Sequence, residues 1–165
     1  MTTASICIFL LLATTLKAQH TADSLAIRAI LQEEVSSWNS KDALTYAKNF
    51  SEQGTFTNIR GMFFTGHKQF FDRHADLFEG LFSTTVLQQE VISFRFLKPD
   101  VAIVESLTWL SGFSPENAPK GVYLDSQGRI FTQLLQVFQK ESGVWKIVAY
   151  HNIDLKEDTP VAGRK

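Results

Sequence analysis

Two side chains on predicted strands have the types and positions needed to move protons. Successive side chains of a strand alternate between its two faces. On a strand predicted over 101–113, Glu105 therefore shares an apolar row with Trp109, and His151 shares one on a strand predicted over 144–153. Partial desolvation raises the pKa of a carboxyl group, and histidine titrates near neutral pH. The sequence thus predicts Glu105 and His151 as catalytic acid–base residues.

Both residues also have structural interpretations that the sequence leaves open. Glu105 could pair with Arg129 or Arg95, or lie across a dimer interface. A histidine on an apolar row is commonly a hydrogen-bonded core residue, and this alternative holds for His151.

Other polar and aromatic side chains are predicted to contact a ligand. Gln133 could orient a ligand carbonyl, and Arg129 could bind a carboxylate through two parallel hydrogen bonds. For Arg129, a contact with a neighbouring strand or a partner chain is favoured, and for Trp38 core packing is favoured. The complete predicted substrate-binding set is Trp38, Asn58, His74, Phe78, Trp109, Arg129 and Gln133.

These residues must be positioned by an α+β fold. Apolar residues recur at helical spacing from Leu25 to Trp38, after a cap at Thr21 or Asp23, and again within 67–82. Asp42 is expected to cap a short helix between them. The predicted strands span 54–59, 62–65, 84–97, 101–113, 127–140 and 144–153. The expected architecture is a cone, in which a strongly curved, mostly antiparallel sheet wraps a long helix, with two further N-terminal helices.

The first 18 residues are predicted to be a secretory signal peptide, and 19–165 a single domain. The apolar run over 6–12 is shorter than the roughly 20 residues that span a bilayer, and Ala18 offers a cleavage point. A buried N-terminal strand or a membrane anchor is the alternative. The prediction is a periplasmic or secreted protein without stable membrane insertion after cleavage.

Composition and motifs argue against several function classes. The formal net charge is -1 with no basic stripe, so nucleic acid is not an expected partner. The single cysteine, Cys7, falls within the predicted signal peptide. The sequence contains no HxH, HExxH or GxGxxG string, so neither a metal nor a cofactor is expected.

Four strings of the sequence carry a resemblance to a known superfamily. They are FTNIRGMFFTG (56–66), FLKPDVAIVES (96–106), GRIFTQLLQVFQK (128–140) and GVWKIVAYHNI (143–153). In their order and spacing they resemble the nuclear-transport-factor-2-like (SnoaL-like) superfamily, in particular its SgcJ/EcaC-type branch. The resemblance implies a homodimer paired through the sheet, with Trp38, Asn58 and His74 at the mouth of the cone. The branch is labelled oxidoreductase, but the sequence has no matching cofactor motif.

The predicted function is that of a pocket protein for a small, partly apolar carbonyl compound. If it is an enzyme, the chemistry is cofactor-free acid–base catalysis, such as isomerisation, dehydration or cyclisation. The alternatives are a non-catalytic ligand-binding module and a structural dimer.

Overall fold

The computed structural model describes residues 3–113, 118–156 and 158–160, with residues 3–18 as backbone alone. Three helices and six strands follow one another along the chain. They are α1 (Thr3–Ser40), α2 (Ala43–Ala47), β1 (Phe50–Thr57), β2 (Phe63–Thr65), α3 (Gly66–Glu79), β3 (Val86–Lys98), β4 (Val101–Ser111), β5 (Ile130–Glu141) and β6 (Val144–Asp154).

The six strands form one curved sheet in the order β2-β1-β6-β5-β4-β3. All neighbouring strands are antiparallel except β1 and β6, which run parallel. Register shifts interrupt three of the pairings, and such bulges bend a strand and increase its twist. The α+β cone expected from the sequence is confirmed.

Helix α1 begins earlier than its apolar pattern predicted. It starts at Thr3 rather than near Thr21, because residues 3–40 contain neither glycine nor proline to interrupt it. Asp23 is therefore not a cap. Its buried carboxylate instead accepts hydrogen bonds from Lys140 Nζ (2.6 Å) and Trp145 Nε1 (2.9 Å), which tie α1 to the β5–β6 hairpin. Among the described residues, no helix is long and apolar enough to cross a membrane.

The two shorter helices, α2 and α3, pack against each other beside β1. Asp42 caps α2 as predicted, with its side chain accepting from Thr45 N at 3.0 Å. Helix α3 buries one stripe, Phe70, His74 and Phe78, against α2 and β1. This stripe carries a histidine into the interior of the cone.

A bulge in β6 reverses the side-chain alternation of that strand. Val137 pairs with Ala149 while Phe138 pairs with Ile147, so Val148 is an extra residue on β6. Before the bulge, odd positions such as Ile147 are buried. After it, Tyr150 is buried and His151 is exposed. The bulge therefore decides which residues of β6 enter the cone.

Candidate functional site

A cavity of about 310 Å³ lies between the concave face of the sheet and helices α1 and α3. Its volume is at the lower end of the range for small-molecule sites. Aromatic and aliphatic side chains form most of the wall, including Trp38, Phe56, Leu110 and Leu134. Exposed residues such as Arg60 and Leu81 mark its mouth.

Glu34 is a buried carboxyl group in the wall of this cavity. It lies on α1 one turn before Trp38 and is only 4% exposed. Gln136 Nε2 donates to both carboxyl oxygens of Glu34, each at 2.9 Å. Burial raises the pKa of Glu34 to about 8, and the hydrogen bonds from Gln136 offset only part of this effect. At neutral pH, Glu34 is therefore a mostly protonated acid that can become a base.

His74 contributes a neutral imidazole from α3. Its Nδ1 lies 2.7 Å from the backbone oxygen of Phe70, which can only accept, so Nδ1 carries the proton. Burial lowers the pKa of His74 to about 4, against the effect of that hydrogen bond, and nearby Arg73 lowers it further. The unprotonated Nε2 is thus the atom that His74 can offer to a ligand, as a hydrogen-bond acceptor.

Two buried tyrosine side chains add a pair of phenol groups to the wall. Tyr46 Oη and Tyr150 Oη lie 3.2 Å apart, and the ring of Tyr46 is 4.6 Å from that of His74. Burial raises the pKa of Tyr46 well above its ordinary value, and nearby Tyr150 and Glu34 add to the shift. The pKa of Tyr150 is raised as well, mainly by burial and to a smaller extent by nearby Glu34. One hydroxyl donates to the other, which leaves a second O–H for a ligand oxygen.

Threonine side chains add a further hydroxyl pair on the sheet side. Thr108 Oγ1 and Thr132 Oγ1 are 2.5 Å apart on the paired strands β4 and β5, and both residues line the cavity. The wall thus combines hydroxyl donors, a neutral histidine acceptor and a carboxyl group that titrates near neutral pH. Such a set can accept a proton from a ligand carbon and stabilise the oxygen on which negative charge develops.

Residues near the mouth are polar and only partly paired. Asn58 Oδ1 accepts from the backbone nitrogens of Arg60 (2.9 Å) and Met62 (3.0 Å), so its amide Nδ2 is the group free to donate. Within the described part of the chain, Arg73 Nε and Asn152 Oδ1 are buried without a hydrogen-bond partner, and both residues line the cavity.

The placement predicted for Glu105 and His151 is corrected by the structure. The even positions of β4, such as Ser106 and Thr108, face the core, so Glu105 lies on the outer face of the sheet. There its carboxylate accepts from Gln133 Nε2 at 2.8 Å. His151 is exposed on the same outer face, because the bulge at Val148 reversed the alternation from which its position was predicted. Neither residue lines the cavity.

The predicted binding residues divide between the cavity and positions outside it. Trp38, Asn58 and His74 line the cavity. Phe78 is buried directly behind it, with its ring 5.0 Å from that of Trp38. The other three, Trp109, Arg129 and Gln133, lie outside the cavity.

The residues outside the cavity make contacts of their own. Trp109 stacks on Phe131 at 5.2 Å between ring centroids. Arg129 forms two bonds to Asp125, from Nη2 at 2.8 Å and from Nε at 2.9 Å, which hold the loop before β5. These contacts correct the placement predicted for the three residues, because Arg129 and Gln133 bond to Asp125 and Glu105 and none of the three lines the cavity.

Sequence reasoning missed Glu34, although a signal was present. Ile27, Leu31, Glu34 and Trp38 follow the 3–4 spacing of one helix face, and all four are buried. A single carboxyl group on an otherwise apolar stripe costs free energy to bury and so marks a candidate functional group. Gln136 carries the same signal on β5, between Leu134 and Phe138.

The geometry is shared with solved structures. A protein of unknown function from Nostoc punctiforme with a cystatin-like fold superposes with a TM-score of 0.71 at 24% identity, covering 84% of this chain and 80% of that one. An NTF-2 like protein from Shewanella oneidensis gives a TM-score of 0.65 at 16% identity, covering 80% and 99%. The chain has the nuclear-transport-factor-2-like fold. A hexachlorocyclohexane dehydrochlorinase shares it, with a TM-score of 0.68 at 14% identity over 90% of this chain and 95% of that one.

Sequence comparison adds nothing to this fold assignment. No family model matches the chain, and no curated protein matches it. Within the described residues, no group of three histidine, cysteine, aspartate or glutamate side chains is arranged to hold a metal ion.

Proposed function

We propose that this protein binds a small, largely apolar carbonyl compound in the cavity and catalyses proton transfer at the carbon next to the carbonyl. Glu34 is the proton carrier, the Tyr46–Tyr150 pair donates to the carbonyl oxygen, and His74 Nε2 orients the ligand by accepting a hydrogen bond. Isomerisation, dehydration and cyclisation of carbonyl compounds can each begin with this step.

One observation carries the proposal: a buried carboxyl group with a pKa of about 8 lines a ligand-sized cavity. A group that titrates near the working pH is efficient as both acceptor and donor of protons. Burying a carboxyl group without a cation costs stability, so its retention in the wall favours a functional role. The dehydrochlorinase of the same fold is named for an elimination, a reaction class that also requires removal of a proton.

The proposed step keeps charge and atoms in balance. The Glu34 carboxylate takes the proton as the carbon–hydrogen bond breaks, and the electron pair moves to the carbonyl oxygen to give an enolate. A tyrosine hydroxyl stabilises this oxygen by hydrogen bonding, in the manner of an oxyanion hole. Return of the proton from Glu34 to a carbon of the enolate completes the turnover.

Deuterium exchange tests the proposal without knowledge of the natural substrate. Aryl and alkyl ketones that raise the melting temperature of the protein would be followed by proton NMR in deuterated water. We expect the exchange rate to rise about tenfold per pH unit below pH 8 and to level off above it, because Glu34 must be ionised to act as the base. Exchange that follows buffer alone at every pH would contradict the proposal.

A non-catalytic binding module is the second candidate, and the mostly aromatic and aliphatic wall of the cavity favours it. Such a wall binds an apolar ligand whether or not a proton is transferred. This candidate predicts saturable binding of ketones with no exchange above background.

We further propose that the chain belongs to the SgcJ/EcaC-type branch, is exported after cleavage behind Ala18, and pairs through the outer face of the sheet. The apolar cluster of Leu107, Phe131 and Leu155 lies on that face, and Ile153 is 55% exposed there. Native mass spectrometry of the exported chain tests the last two points together. We expect two copies, each beginning at Gln19; an intact N-terminus or a single copy would contradict the corresponding point.

A further inference from the structure

The mouth of the cavity contains a cationic side chain whose pairing is incomplete. Arg73 lies on α3 beside His74, and its side chain lines the cavity. Its Nε is buried without a hydrogen-bond partner, and Arg73 forms no ion pair with any residue that the structure describes. A buried guanidinium nitrogen without a partner is costly, and a bound anion would satisfy it.

We infer that Arg73 recognises a carboxylate group of the ligand, so that the substrates are oxo-carboxylic acids with an apolar body. This inference rests on the proposed function and names the substrate class of the same site. The carboxylate lies at the mouth, against Arg73, and the reacting carbonyl lies among Glu34, Tyr46 and Tyr150.

The charges around the cavity favour a singly charged anion. The mouth carries Arg60 and Arg73 against one acidic side chain, Asp76, while Glu34 and His74 are neutral at pH 7 in the interior. A carboxylate matches the planar guanidinium. With two cations against one acid, a single carboxylate balances the charge of the mouth, whereas a dianionic group such as phosphate would leave an excess of negative charge there.

Two amide side chains at the mouth can contact the same ligand. Asn58 Nδ2 can donate to the second carboxylate oxygen, and Asn152 Oδ1 can accept from a hydroxyl or water at the entrance. Apolar side chains such as Leu77, Phe82 and Leu110 separate this polar rim from the acid–base groups. The ligand therefore carries its carboxylate at the mouth and its carbonyl at the acid–base groups, with apolar carbon between the two.

A matched pair of probes tests the inference. 4-Oxo-4-phenylbutanoate and 4-oxo-4-phenylbutanamide have closely similar shapes and the same C–H protons next to the ketone, and they differ in the charge of one end. Calorimetric titration of the wild-type protein should give about tenfold tighter binding of the acid than of the amide. Arg73→Met should abolish this preference and leave the affinity for the amide unchanged within about twofold. Arg95→Met, which removes an exposed arginine outside the cavity, should retain the preference.

The possible results separate this inference from the proposed function. Equal wild-type affinity for acid and amide, with deuterium exchange in both, overturns the carboxylate site and leaves the proton-transfer proposal intact. If a folded Arg73→Met variant binds neither the acid nor the amide, the inference is also overturned, because Arg73 then maintains the shape of the cavity instead of recognising the carboxylate charge. Tighter binding of 2-phenylethylphosphonate than of the acid overturns the choice of a carboxylate. Binding of neither ketone overturns both proposals.

Discussion

The variant Glu34→Gln is expected to lower ketone-dependent deuterium exchange by about 100-fold or more, the usual contribution of a positioned general base. Glutamine keeps the shape of Glu34 and can still hydrogen bond to Gln136, but it cannot take up a proton. Binding of the ketone should therefore stay within about threefold of wild type, because the apolar wall is unchanged. Exchange by NMR and binding by calorimetry measure the two effects separately.

Two matched variants control this experiment. Glu79→Gln removes an exposed carboxylate at the end of α3, and Glu105→Gln removes the one on the outer face of the sheet. Neither residue lines the cavity, so both variants should exchange at the wild-type rate. Exchange that survives in Glu34→Gln but disappears in Glu105→Gln would return the catalytic role to the outer face and refute the cavity site.

The free energy of unfolding should fall as the pH rises from 6.5 to 8, by about 1.4 kcal/mol per pH unit. In the folded state the pKa of Glu34 is about 8, whereas in the unfolded chain the group loses its proton near the ordinary pKa of 4.5. The folded state therefore binds more protons in this interval, and stability decreases with pH. His74 acts in the opposite sense between pH 4 and 6.5, since only the unfolded chain protonates it there.

Urea titrations across the pH range measure this dependence. Where the two intervals overlap, between pH 4.5 and 6.5, the opposite slopes from Glu34 and His74 should largely cancel. Glu34→Gln should remove the loss above pH 6.5, and its stability relative to wild type should increase as the pH approaches 8. Glu79→Gln should follow the wild-type curve. Parallel curves for wild type and Glu34→Gln would show that the carboxyl group is not held neutral by the fold.

The elements were largely predictable because their signals are local. Alternation and turn residues located β4 from Val101, and the Asp42 side chain identified the start of α2. Helix α1 was the exception, since its extension to Thr3 depends on the absence of helix breakers rather than on an apolar stripe.

The site was less predictable because it depends on which face of each strand is concave. Strand β4 has apolar side chains on both faces, with Leu107 buried outside and Leu110 buried inside, so alternation alone could not choose between them. His74 was found because a helix presents only one buried stripe. Glu34 was overlooked because a search for apolar periodicity passes over the polar member of a stripe.

The extra residue Val148 shifts the side-chain alternation of β6 by one position. Before Val148 the odd-numbered side chains face the inside of the cone, and after it the even-numbered ones do. Regular pairing of the same residues, without the bulge, would turn Tyr150 and Asn152 outward and bring His151 and Ile153 into the cavity, with no change in any of their identities. The side chains that β6 presents to the cavity are thus set by this bulge, and related chains can be compared here only if the extra residue is counted.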